Sequence, residues 1–193
     1  MKKTIKILLE HLGLLSFAKK IANKIGVTTI ESSLDRYKNI NYWYLKYRGL
    51  NLVYDTSEWY SKKWFFPRYD EGRIHEPTTT DIFIDKISSN SIVLDIGGHL
   101  GYFSCIAGKL AKNGFVHVFE VDPKCLNLIT NNLLANKLSN VQVHNYAVSD
   151  SKETIKIPKF EIPNAGLKIN STSSNDYIEI KSLVIDDFLS QNN

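Results

Sequence analysis

The stretch Val93-Leu-Asp-Ile-Gly-Gly-His-Leu-Gly-Tyr-Phe103 decides the reading of this chain. Its first half belongs to Ser91-Ile-Val-Leu-Asp-Ile96, a short apolar run rich in β-branched residues, with a Ser88-Ser-Asn90 turn before it and Gly97-Gly98 after it. Such a run predicts a buried parallel strand. Its second half opens a helix from Tyr102 to Lys112, with Phe103, Ile106, Ala107, Leu110 and Ala111 on one face and Asn113-Gly114 as the stop. The strand delivers Asp95 near its carboxyl end, and three glycines stand where the chain must turn sharply into the helix. Glycine tolerates positive φ and lets a ligand approach the backbone. The first N–H groups of the helix then face that ligand.

The pattern continues outward. Phe115-Val-His-Val-Phe119 reads as a second strand. Asp122-Pro123 opens a second helix running to about Leu138, with Asp as N-cap and Pro at the first helical position. Val141 to Ala147 reads as a third strand. Strand and helix in alternation predict a parallel, doubly wound sheet. Ligands in such sheets lie outside the carboxyl ends of the strands.

The glycine spacing narrows the ligand. A dinucleotide fingerprint places glycines at i, i+2 and i+5; here they fall at Gly97, Gly98 and Gly101, and no P-loop follows. A carboxylate at the mouth of the turn suits an ammonium group better than a pyrophosphate. Glu120 ends the second strand, where an acidic side chain accepts hydrogen bonds from ribose hydroxyls. Asp95, the glycine turn and Glu120 together imply an adenosine-type cofactor without phosphates, and S-adenosylmethionine is the common molecule of that kind.

From Glu76 to Leu189 the chain resembles the FkbM family of methyltransferases. The matching pieces are His75-Glu-Pro77 with Thr78–Thr80, Val93 to Ser104, Val118-Phe-Glu-Val-Asp-Pro123, Asn131-Asn132 through Asn136 to Val141, Ala147-Val-Ser-Asp150, and Ile185-Asp-Asp-Phe-Leu189. The resemblance implies a Rossmann-like class I methyltransferase fold, three-layered and mostly parallel, that methylates a hydroxyl of a sugar, glycan or small-molecule natural product. It implies S-adenosyl-L-methionine as cofactor, with Ala147 and Val148 beside the adenine ring. It also places His75 and Glu76 near the site. The expected cofactor-binding residues are therefore Glu76, Asp95, Gly97, Gly98, His99, Gly101, Glu120, Val121, Ala147 and Val148. No catalytic base and no metal site is read from the residues.

This chain departs from the family in two places. Gly98 and His99 stand where the family usually has Ala and Asn. After Leu189 the family continues into a strand bearing K-x-D-x-E-G, whereas this sequence stops at Asn193, so the expected fold is incomplete at its C-terminus. A cofactor-binding or interaction fragment without turnover is the alternative reading.

The flanks divide into a helical, aromatic-rich extension over residues 1–70 and the partial Rossmann-like domain over 71–193. Residues 4–25 carry apolar side chains at helical spacing with lysines between them, a pattern for packing or for peripheral membrane contact. Tyr37 to Tyr69 is dense in aromatics, read as core under an irregular extension, with Asn51–Tyr54 as a short strand of unassigned partner. Thr78–Thr80 and Asp81 offer N-caps for a short helix over Ile82–Ile87. Beyond Asp150, Glu153–Ile157 and Tyr177–Leu183 alternate as strands, with a loop over Pro158–Asn175 between them, and Asp186–Leu189 starts a last helix.

Composition excludes some classes. Apolar residues make up 43% and charged residues 23% of the 193, as in an ordinary globular domain. The net charge of +4 is too balanced to argue for nucleic acid, and an Asn/Asp-Pro-Pro-aromatic motif for base methylation is absent. Cys105 and Cys125 have no zinc spacing and read as free thiols. Lys6, Glu10 and His11 interrupt the apolar run that a signal peptide needs, so the expected location is cytoplasmic.

Overall fold

The computed structural model describes residues 37–69, 72–158 and 177–191. The amphipathic segment 4–25 and most of the loop expected over 158–175 lie outside them. The chain begins with an antiparallel hairpin, β1 (Tyr42–Tyr47) and β2 (Leu50–Asp55), paired from Tyr42↔Asp55 to Tyr47↔Leu50. Its turn is Arg48-Gly49, both at positive φ (47° and 80°), the two-residue geometry that matches strand twist. Helix α1 (Trp59–Tyr69) follows. The extension expected to be helical and irregular is thus partly a regular hairpin. The alternation hides in the sequence because its outward residues, Tyr42 and Tyr44, are as aromatic as the inward Trp43.

Helix α2 (Pro77–Lys86) starts earlier than its threonines suggest. Pro77 occupies the first turn, and Glu76 is the N-cap residue, at φ 42° and without a side-chain cap. Thr78–Thr80 and Asp81 lie inside the helix. Thr80 is fully buried, its hydroxyl donating to the His75 carbonyl at 2.7 Å.

The Rossmann-like unit comes next: β3 (Ile92–Ile96), α3 (Tyr102–Leu110), β4 (Phe115–Phe119), α4 (Pro123–Ala135) and β5 (Val141–His144). Its strands form a parallel sheet in the order β3-β4-β5, in register Asp95↔Val118 and Phe119↔His144. Asp122 caps α4 as its sequence predicts, accepting from Lys124 N at 2.8 Å. The third strand is shorter than expected, because the chain leaves the sheet at Asn145-Tyr146. Ala147–Val148 (β6) pairs in parallel with β8 (Tyr177–Leu183), which is antiparallel to β7 (Thr154–Pro158). Helix α5 (Ile185–Gln191) closes the described chain.

The parallel sheet is covered on both faces. Val116 and Val118 are fully buried in one core cluster with Ile106 of α3 and Ile129 of α4. On the other face Phe188 of α5 packs edge-on to Phe119, His117 and His144, with centroids 5.0–5.2 Å away. That cover does not reach β3, where Ile92 and Ile96 are 66% and 56% exposed. Among the described residues no strand pairs with the outer edge of β3. The described sheet is therefore Rossmann-like, with that side unpaired.

The aromatic segment is core. Trp43, Tyr54 and Phe65 stack and tilt on one another and on Tyr102, and the Tyr54 hydroxyl donates to the Tyr102 carbonyl at 3.0 Å. Two asparagines one turn apart on α4 bind the free edge of β2. Asn132 accepts from Asp55 N at 2.5 Å, and Asn136 accepts from Val53 N and donates to Val53 O. Side-chain amides here supply what a neighbouring strand would otherwise give. Among the described residues no helix is long and apolar enough to cross a membrane.

Candidate functional site

Three residues of the turn after β3 have left-handed backbone: Gly97 (φ 82°), His99 (φ 53°) and Gly101 (φ 82°). The turn is anchored by Gly97 N and Gly98 N donating to Phe119 O, and closed by Gly101 N donating to Gly98 O at 2.7 Å. At Gly98 the constraint is contact rather than dihedral. A Cβ there would lie 2.4 Å from Val118 Cγ1 and 3.1 Å from Ile129 Cδ1. Val118 is fully buried and its branched side chain is stiff, so it cannot swing aside cheaply. Gly98→Ala is expected to cost about 1–3 kcal/mol of stability, read from the urea midpoint. Adding Val118→Ala should recover part of the loss. An unchanged midpoint for the single variant would mean that the turn does not pack here.

Glu120 organises the far side of the turn. Its Oε2 accepts from His99 N at 2.8 Å, and its Oε1 accepts from Val121 N and Asp122 N at 2.7 and 2.9 Å. The side chain is buried, and its amide partners hold both ends of the crevice to one carboxylate. A carboxylate has about four acceptor directions. Three are used, and one remains on Oε2 for a ligand.

A cavity of about 170 Å³ opens at this place, lined by Gly97, Glu120, Val121, Ala147 and Val148, with Ile96, Phe119, Tyr146 and Ile157 completing its apolar wall. Five of the ten expected cofactor residues thus meet in one pocket. The other five do not line it. Gly98, His99 and Gly101 shape the turn. Asp95 lies behind it and accepts a very short hydrogen bond from Ser104 Oγ of α3. Burial pushes the Asp95 carboxyl above its ordinary range, Ser104 opposes that, and the nearby Glu120 charge adds to it. His99 is half-buried beside Glu120, and burial lowers its pKa. The sequence reading named neither Tyr146 nor Ile157 as pocket residues. They enter because the chain leaves the sheet after β5 and returns through β7.

Glu76 stands elsewhere on the same end of the molecule. Its carboxylate is half-exposed and 3.5 Å from His75 Nε2, while His75 Nδ1 meets the Tyr69 hydroxyl at 2.5 Å. The His75 ring packs edge-on against Tyr102, the first residue of α3, and this seats the Tyr69–His75–Glu76 group beside the glycine turn. Burial lowers the His75 pKa and raises that of Tyr69, so both are neutral near pH 7. A neutral imidazole between a phenol and a carboxylate can take or pass a proton.

His144 pairs with His117 Nδ1 through its Nε2 at 3.0 Å, across neighbouring strands. Cys105 and Cys125 are buried free thiols, and burial pushes the Cys105 pKa up to about 12. Among the described residues no group of His, Cys, Asp or Glu could hold a metal ion.

No family model and no curated protein matches the chain. Among solved structures it is similar to TYW2 of M. jannaschii in complex with AdoMet, at 19% identity over 53% of this chain and 42% of that one, with a TM-score of 0.37. It is also similar to an rRNA methylase from Streptococcus thermophilus (21% identity, 38% and 45% covered, TM-score 0.35). A third is the precorrin-6y C5,15-methyltransferase of Geobacter metallireducens (23% identity, 37% and 39% covered, TM-score 0.34). The chain spans less than half the length of each of these proteins.

Proposed function

We propose that this chain binds S-adenosylmethionine at the carboxyl ends of β3 and β4 and is a methyltransferase of the FkbM kind, acting on a hydroxyl of a sugar, glycan or small natural product. The observation that carries this is the pocket in which a buried carboxylate with one open acceptor direction faces an apolar wall, with no basic side chain among the described lining residues. The set fits the cofactor. Glu120 would accept from a ribose hydroxyl, and Val121, Ala147 and Val148 would flank an apolar ring. At about 170 Å³ the cavity is smaller than the roughly 300–1,000 Å³ of most small-molecule sites. It would take a nucleoside-sized part of the cofactor, beside the glycine turn.

When bound, the cofactor would supply an electrophilic methyl group to an acceptor hydroxyl. The chain's own residues orient and exclude water. Gly97 and Gly101 supply the left-handed backbone that shapes the turn beside the pocket. Glu120 fixes the ribose and, through His99 N, the shape of the turn. Tyr69, His75 and Glu76 border the place where an acceptor would enter.

A second reading, cofactor binding without turnover, is favoured by the open edge of β3, which leaves one side of the crevice without a wall. Titration calorimetry with S-adenosylhomocysteine tests both. Micromolar binding by the folded chain is expected, weakened about tenfold or more in Asp95→Ala through the loss of a charged hydrogen bond at the base of the turn. A folded chain that binds none would remove the cofactor assignment. Binding without methyl transfer to any sugar acceptor would select the second reading.

A further inference from the structure

The outward face of the hairpin has no function in the site just described. Along β1, Tyr42, Tyr44 and Lys46 point outward; Val53 faces out opposite Tyr44. Helix α4 lies along the free edge of β2, with Asn131 reaching Asp55 and Leu134 one turn further on. Tyr44 is 64% exposed and Leu134 72%, and Ile40 and Tyr42 extend the strip at its other end. At the Lys46 end a cleft of about 310 Å³ opens between hairpin and helices, with Tyr44, Lys46, Lys109 and Lys137 in its lining. Among the described residues no carboxylate pairs with any of these three lysines. The C-terminal ends of α3 and α4 lie here, and their dipoles offset roughly one of the three positive charges. Positive charge remains at one end of an exposed strip of tyrosine and aliphatic side chains.

We propose that this face docks on an anionic lipid bilayer. Charge complementarity argues for the occupant: three unpaired lysines meet anionic headgroups, while tyrosine rings with an apolar body and a polar tip suit the headgroup boundary. Leu134 and Ile40 favour lipid over nucleic acid, since aliphatic side chains give a base no stacking surface. The orientation is useful. Asp55, opposite Tyr42, is bound by Asn132, which also donates to Leu100 of the glycine turn, so the Tyr42 end of the face is the pocket end. A chain lying on this face presents its pocket at the rim of the contact, where a lipid-linked acceptor could reach it. The docking itself does not depend on the methyltransferase reading.

The test is co-sedimentation of the full chain with phosphatidylcholine vesicles, with or without one-third phosphatidylglycerol. Binding to the anionic vesicles alone, weakened by salt, is expected. Lys46→Glu/Lys109→Glu/Lys137→Glu should lower partitioning by about fivefold or more for each lysine. Tyr44→Ser/Leu134→Ser should lower it with the charges intact. Circular dichroism should show both variants folded. Failure of the folded chain to sediment, equal binding to neutral vesicles, or binding unchanged in both variants would overturn the proposal, the last because residues 4–25 would then carry it. Binding of a labelled uridine oligonucleotide without vesicle binding would assign the lysines to RNA instead and overturn it equally.

Discussion

Glu120→Ala is expected to lower stability by about 3 kcal/mol and to weaken S-adenosylhomocysteine binding by about tenfold to a hundredfold. One carboxylate accepts from His99, Val121 and Asp122 N–H groups on both sides of the crevice. Removing it strands three donors at once. All three donors belong to half-buried residues, so water reaches them in part. The stability loss should therefore be less than three full desolvation penalties. Urea unfolding measures the first effect and calorimetry the second. Glu120→Gln separates them, because an amide oxygen keeps one set of acceptor contacts while its NH₂ opposes another N–H. If Glu120→Ala unfolds at the parent's urea concentration, the carboxylate does not organise the turn. If it binds the cofactor analogue like the parent, the ribose role is wrong.

Asn132→Ala is expected to be at least as destabilising, about 3–4 kcal/mol. The side chain is fully buried, accepts from Asp55 N at 2.5 Å and donates to Leu100 O at 2.7 Å. It joins the hairpin to the glycine turn through a single residue. Alanine leaves a buried donor and a buried acceptor without partners and adds a void. A loss of cofactor affinity should accompany the loss of stability, since Leu100 lies within the turn. The neighbouring Asn131→Ala is the control: its side chain makes a 3.5 Å approach to Asp55 at the surface, and surface changes of that kind stay within about 0.5 kcal/mol. Equal midpoints for the two variants would show that Asn132 is not the link.

Sequence legibility followed burial pattern and cap chemistry. The run from β3 to β5 was readable because β-branched strands, a glycine turn and Asp122-Pro123 each have one plain interpretation. The observed bounds differ from the expected ones mainly at helix ends, where α3 stops at Leu110 and α4 at Ala135. The hairpin was half legible. Leu50–Asp55 contains the strand expected at Asn51–Tyr54, but its partner was hidden among aromatics that occupy both faces. Helix α1 was missed for the same reason, as Trp59–Tyr69 shows no polar stripe. Contacts that depend on register were out of reach. His144 had no partner in the sequence because its partner, His117, is fixed only once β4 and β5 are aligned. The Tyr69–His75 contact likewise depends on how α1 meets the start of α2. For the site, five expected residues line one pocket, and the turn residues sit around it. Asp95 is the instructive case: its type and position were legible, but its engagement with Ser104 was not, since that contact spans strand and helix.

The bare edge of β3 has a consequence for handling the protein. Strands on sheet edges are templates for pairing, and natural proteins blunt them with lysine, proline or a bulge. Ile92-Val-Leu-Asp-Ile96 contains none of these, and its end residues are exposed isoleucines. Its five-residue length and the carboxylate of Asp95 are its safeguards among the described residues. Concentrated solutions of this chain will therefore be governed by colloidal behaviour at that edge, with self-association setting the usable concentration well before the core gives way.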